Sequence, residues 1–243
     1  MVSVKFQGIS KVYDDGTRAV EGLDLEVEEG EFLVLVGPSG CGKSTTLRML
    51  AGLEDISEGK IMIGDAVVND LPARARGLGM VFQSYALYPH MSVEDNLTFG
   101  LRMKPKAERP QADELKEMVQ GTAKMLGIED ILSKRPRDLS GGQRQAVAIA
   151  RSLVRGSRLF IMDEPTAALG VEQSAMVLSL LSDLKERGAG VLLISHNMSH
   201  VFDVVDRVVV LRHGKKVAER IKSESSPEEI VGLITGAIDG ELS

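Results

Sequence analysis

Two short stretches of the sequence carry residue types that could handle phosphate. The first is Gly37-Pro38-Ser39-Gly40-Cys41-Gly42-Lys43-Ser44, which fits the pattern G-x-x-x-x-G-K-[ST] and directly follows the apolar run EFLVLV. Glycines let successive backbone N–H groups turn inward around phosphate oxygens, and the N-terminus of a following helix adds a favourable dipole. In this pattern Lys43 reaches the β- and γ-phosphates of a nucleotide and Ser44 holds Mg²⁺, with Thr45 beside them in the first turn. A glycine-rich turn with an exposed lysine is the plain alternative, and the strand before and helix after argue against it. Cys41 reads as a small loop residue rather than a nucleophile.

The second stretch is DEPTAALGVE, Asp163 to Glu172, which follows the apolar residues LFIM. Its acids therefore stand at the carboxyl end of a buried strand, where open α/β sheets bind ligands. Asp163 suits a direct or water-mediated Mg²⁺ contact, and Glu164 suits a general base for an attacking water. Alone, such a pair is more often a solvated turn. In one chain with a phosphate cradle, two carboxylates acquire a purpose.

These residues need a scaffold, and the sequence patterning supplies one. Strand-like runs occur at VKFQGIS, LDLEV, EFLVLVG, GMVF, RLFIM, GVLLIS and RVVVLR, with helical segments between the later ones. That alternation predicts an α/β domain with a largely parallel sheet. From Ser84 to about Ser157 only helix signals appear. Ser92 with Asp95 opens a helix after Pro89, and Pro110 starts another whose Leu115, Met118, Val119, Ala123 and Leu126 share a core-facing stripe. Ser226-Pro227-Glu228-Glu229 reads as a capping box before a last helix.

Composition excludes little. The chain has 29 basic and 35 acidic residues, a net charge of −6, which does not favour a nucleic-acid sheath. No apolar run reaches the ~18 residues of a membrane span, and MVSVKFQGIS lacks the long apolar region of a signal peptide. The single cysteine forbids an internal disulfide and suits a reducing cytoplasm.

A third stretch, LSGGQRQAVAIARSL from Leu139 to Leu153, is a small-residue turn feeding a helix, again able to meet an anion. With it the motif set resembles the ATP-binding subunits of ABC transporters over nearly all of the chain. The resemblance implies a P-loop NTPase core (1–83 and 158–243) with an antiparallel β subdomain and an all-helical insert (84–157). These form a single nucleotide-binding domain over 1–243 with no C-terminal regulatory domain. It also implies ATP and Mg²⁺ as ligands and a head-to-tail dimer in which Ser140, Gly141, Gly142 and Gln143 meet the partner subunit's ATP. Gln83 resembles the glutamine that senses Mg²⁺ and water, Tyr13 the aromatic that stacks on adenine, and His196 the histidine near the γ-phosphate. His90, His200 and His213 match no such motif. Permease subunits docking near Gln83 to Met91, an indirect link to a substrate-binding protein, and a place on the inner face of the cell membrane follow from the same likeness.

Within the family the chain looks like a carbohydrate importer subunit. VGPSGCGKSTTLRMLAGLE and VFQSYALYPHMSVEDNLTFGLRM resemble oligosaccharide importers. DEPTAALGVEQ, LLISHNMSHVFDVVDRVVVL and SSPEEIVGLITGA look more like ribose, xylose and fructose importers, a possible mosaic. Gly170 and Asn197 stand where aspartate is common in the family. A mosaic without its own permease is one other reading. ABC-type ATPases acting on DNA or ribosomes are the second, but they usually carry a long coiled coil or two cassettes, and neither is seen here.

Overall fold

A computed structural model describes residues 3–82, 84–167, 169–195, 198 and 202–240. Strands β1 (Val4–Val12), β2 (Arg18–Val27), β4 (Glu58–Ile63) and β5 (Ala66–Val67) form one sheet, in the order β2-β1-β4-β5. Its pairings are all antiparallel, as the resemblance implied. The second sheet has six strands in the order β10-β9-β3-β8-β7-β6. They are β3 (Phe32–Val36), β6 (Gly79–Val81), β7 (Leu159–Asp163), β8 (Gly190–Ile194), β9 (Arg207–Arg212) and β10 (Lys215–Ile221). Five of these run parallel, and β10 returns antiparallel to β9.

Strand β3 shows why the parallel runs read as unbroken apolar stretches. All five of its residues are buried, because both faces of a parallel sheet are covered. Its period of two divides them between two cores. Phe32, Val34 and Val36 point toward the cluster shared with the helical insert. Leu33 and Leu35 point toward the cluster that includes Leu47 and the antiparallel sheet. Arg207 of β9 joins the two sheets through the carboxylates of Glu31 and Glu219 and the carbonyl of Glu26 on β2.

The helices are α1 (Lys43–Ala51), α2 (Val93–Arg102), α3 (Ala112–Met125), α4 (Gly141–Val154), α5 (Val171–Glu186) and α6 (Pro227–Thr235). Between β6 and β7 every α- or β-element is helical, as the sequence implied. Ser92 caps α2 by accepting from the Asp95 amide at 3.0 Å. Helix α3 starts at Ala112, two residues later than expected, with Gln111 as its cap and Pro110 before it. Its stripe packs inward, with Val119, Ala123 and Leu126 buried and Leu115 and Met118 packed against them. At α6 only half of the expected capping box forms. Ser226 accepts from the Glu229 amide, but the Glu229 carboxylate turns to Arg220 at 2.8 Å. Strands β4 and β10 escaped the sequence reading because EGKIMI and KKVAERI mix charged with apolar residues, and β5 is only two residues long.

Candidate functional site

The sheet order brings the chemistry together. Strands β3, β8, β7 and β6 lie side by side and parallel, so their carboxyl ends share one edge. The first leads into the glycine-rich loop and the third ends at Asp163. The other two lead toward His196 and Gln83, which lie outside the described residues, as does Asn197. The Glu164 amide donates to the Ile194 carbonyl at 3.0 Å, tying the acid pair to the end of β8.

The loop itself can only be made with glycine at two points. Gly37 has φ 148°, and a side chain there would run into the Leu211 carbonyl at 2.1 Å; Gly42 has φ 102° and would meet the Ala19 carbonyl at 2.4 Å. Gly42 also caps α1, placing Lys43, Ser44 and Thr45 in the helix's first turn. Pro38, Ser39 and Gly40 are exposed at the rim, while Cys41 is buried beneath it, a small packing residue as expected. The Lys43 ammonium donates to the carbonyls of Gly37 at 2.8 Å and Pro38 at 2.9 Å. Those partners are neutral, so the cation's charge remains available to an anion. A helix N-terminus beside an ammonium without an ion pair among the described residues fits a phosphate chain.

Across from the loop, the Ser44 side chain stands close enough to the Asp163 carboxyl to favour its charged form. Burial pushes its pKa above the ordinary carboxylate range and the neighbouring Glu164 pushes the same way, while Lys43, Ser44 and Arg48 pull it down. Among the described residues no three His, Cys, Asp or Glu side chains gather as a metal cage. One hydroxyl and one carboxylate suit Mg²⁺, which keeps waters and phosphates as its other ligands. Glu164 has φ 53°, the left-handed region that non-glycine residues seldom occupy.

Tyr13 lies just after β1 and is 37% exposed. Lys11 approaches its ring at 5.1 Å. The start of β2 touches Gly42 through Ala19, so this hairpin borders the phosphate loop.

Ser140 caps α4 by accepting from the Gln143 amide at 3.2 Å, and the Gln143 side chain accepts from the Ser140 amide at 3.0 Å. A side chain on Gly141 would strike Leu169 at 2.5 Å, and one on Gly142 would crowd Gln173 at 3.3 Å. Within one chain, then, the LSGGQ turn rests against the tail of the DEPTAALG segment. Gly170 is exposed, caps α5 with φ −69° and ψ 170°, and has open space around it. No feature of its backbone requires glycine.

Sequence reasoning missed two residues and a cavity. Arg76 is buried and donates to the carbonyls of Met49, Leu50, Asn69 and Leu71, clamping the far end of α1. Arg151 reaches the loop after Gln83. A cavity of about 350 Å³ opens beside that loop, lined by Arg74, Phe82, Tyr88, Phe99, Arg151 and Arg155 among others. Arg76 and Arg151 reach their partners through side-chain contacts across separated segments, which leave no local pattern.

A glycine loop after one central strand, with an acid at the end of a parallel strand of the same sheet facing the loop's serine and lysine, defines a P-loop nucleotide-binding protein. The chain belongs to the ABC transporter family, whose model matches residues 20–167. It is 43% identical over 231 residues to the sulfoquinovosyl glycerol transport ATP-binding protein SmoE of Agrobacterium fabrum, covering 95% of this chain and 62% of that protein. It is 45% identical over 216 residues to the diacetylchitobiose uptake system ATP-binding protein MsiK of Streptomyces coelicolor, covering 88% and 56%. The chain thus spans about three-fifths of the length of these relatives. Among solved structures, it resembles the dimeric, post-hydrolysis ATP-binding cassette MJ0796 bound to ADP and Pi. That likeness has a TM-score of 0.80 at 30% identity, over 90% of this chain and 98% of that one. No helix among the described residues is long and apolar enough to cross a membrane.

Proposed function

We propose that this chain is the ATP-hydrolysing subunit of an ABC importer for a carbohydrate or related polyol. The observation that carries the reading is the convergence of Ser44, Lys43 and Asp163 at the strand ends, with Glu164 beside them. Lys43 and the amides of Gly40 to Thr45 bind the β- and γ-phosphates, with Tyr13 against the adenine. Ser44, Asp163 and Gln83 hold Mg²⁺, which when bound neutralises charge developing on the phosphates. Glu164 takes a proton from the attacking water, and His196 and Gln83 orient the γ-phosphate end.

Ser140, Gly141, Gly142 and Gln143 complete the site of a second copy in a head-to-tail dimer. The exposure of Val171 at 84%, beside Gly170, supports a contact surface at that turn. Permease subunits dock on the segment from Gln83 to Met91, next to the arginine- and aromatic-lined cavity, and hold the protein on the inner face of the membrane. The SmoE and MsiK names support the substrate class. The mosaic reading also stands as a proposal, supported by the likeness of the segment around Gly170 to monosaccharide importers.

The test is Glu164→Gln. Turnover should fall by about 10²–10⁴ while ATP binding persists, and gel filtration with MgATP should show a dimer for the variant. Hydrolysis at the wild-type rate would remove Glu164 from its role, and a wild-type protein without ATPase activity would overturn the whole reading.

A further inference from the structure

The loop after Gln83 is held in a conformation that its sequence does not favour. Tyr85 and Ala86 both have positive φ, 63° and 49°, although each carries a Cβ that disfavours this region. Three contacts from α4 surround them. The Arg151 guanidinium donates to the Ala86 carbonyl at 2.6 Å and to the Tyr85 carbonyl at 3.4 Å. The Arg144 guanidinium lies 5.4 Å from the centre of the Tyr85 ring. The Tyr85 hydroxyl comes within 3.5 Å of where a side chain on Gly141 would begin.

Arg151 has no carboxylate partner among the described residues, so its hydrogen-bonding capacity is directed to backbone carbonyls. A half-buried cation held by carbonyls alone makes strong, directional bonds. Those bonds are what can offset the strain of two adjacent left-handed residues, which is of the same order as a few hydrogen bonds.

We infer that Arg151 is a positioning residue, which keeps the Tyr85–Ala86 turn left-handed and so sets the loop bearing Gln83 relative to α4. The inference rests on the ATPase reading and adds a link to it. Helix α4 begins at the LSGGQ turn, and Arg151 sits about three turns further along the same rigid rod. A displacement of that turn therefore moves the two carbonyls and, with them, the loop. The same arginine lines the neighbouring cavity, so an occupant there bears on the same turn.

The experiment compares wild type, Arg151→Met, Ala86→Gly and the double variant. The readouts are MgATP hydrolysis (kcat and KM separately) and hydrogen exchange of residues 82–88, where the Tyr85 amide donates to the Phe82 carbonyl at 2.8 Å. Arg151→Met should lower kcat by about tenfold or more, with KM within about threefold, and speed exchange in this segment. Glycine tolerates positive φ, so Ala86→Gly should restore much of the lost kcat and protection in the double variant. A purely structural arginine predicts no rescue from a second glycine, and absence of rescue overturns the inference. Should Arg151→Met not fold, Arg151→Lys replaces it, because an ammonium cannot span both carbonyls as the fork does. Wild-type exchange and turnover in Arg151→Lys would equally overturn it. An inactive wild type with a normal exchange pattern would instead refute the ATPase reading, while the exchange arm still decides the role of Arg151.

Discussion

The Ser44 hydroxyl, in the first turn of α1, faces the carboxyl of Asp163 at the end of β7 and draws its pKa down. These residues lie far apart in sequence, and the strands that lead to them, β3 and β7, are separated by β8. Their meeting joins a phosphate loop and an acid pair into one site.

The Asp163 carboxyl is raised chiefly by burial, with Glu164 adding to it, and this has a consequence for stability. The native state binds more protons here than the unfolded chain, so stability falls as pH rises from the ordinary carboxylate value through the raised one. Asp163→Asn should therefore raise the melting temperature of the nucleotide-free protein at about pH 7, where an unshifted carboxyl is ionised. The gain should shrink as pH is lowered toward about 4. Melting curves across this range decide it, and a gain that grows with acid contradicts the assignment. The same variant should lose Mg²⁺-dependent hydrolysis.

Ser140 caps α4, and in the proposed dimer it also faces the partner subunit's ATP; the two roles separate by substitution. Ser140→Ala removes the cap from α4 and should cost about 1 kcal/mol of stability. Ser140→Asp keeps a capping oxygen but sets a carboxylate against the partner subunit's phosphates. It should hold the melting temperature and single-subunit ATP affinity while lowering turnover by about a hundredfold or more. An equal loss of ATP affinity in isolated subunits would speak against the head-to-tail sandwich.

At Gly170 the backbone is ordinary and the surroundings open. Gly170→Asp should supply α5 with a capping carboxylate and stabilise the fold by a few tenths to about 1 kcal/mol, seen as a small rise in melting temperature. If the turn crosses the dimer interface, the Hill coefficient for ATP should also change. A destabilised variant would show that the turn is less free than its geometry indicates.

Gln145 is fully buried in α4, and neither its amide nitrogen nor its oxygen has a hydrogen-bond partner in the protein. Gln145→Met keeps the volume and removes two polar atoms whose burial costs about 1–3 kcal/mol. A rise of several degrees in melting temperature is expected. An unchanged or lower value would mean that the amide is satisfied in solution.

The sequence alone determined what short-range pattern can encode. The glycine-rich loop, the buried strand before Asp163 and the LSGGQ turn are local stretches in which residue type and spacing state the backbone shape. The apolar run of β3 announced a strand, and the helical insert appeared as a stretch without strand signals. Strand order was another matter. That β8 lies between β3 and β7, bringing the ends that lead to Lys43, Glu164 and His196 to one edge, follows from how crossovers pack, not from any one segment. The grips of Arg76 on α1 and of Arg151 on Tyr85 and Ala86 likewise exist only in three dimensions. A side chain's hydrogen bonds depend on which carbonyls the fold leaves within reach, and no spacing along the chain records that.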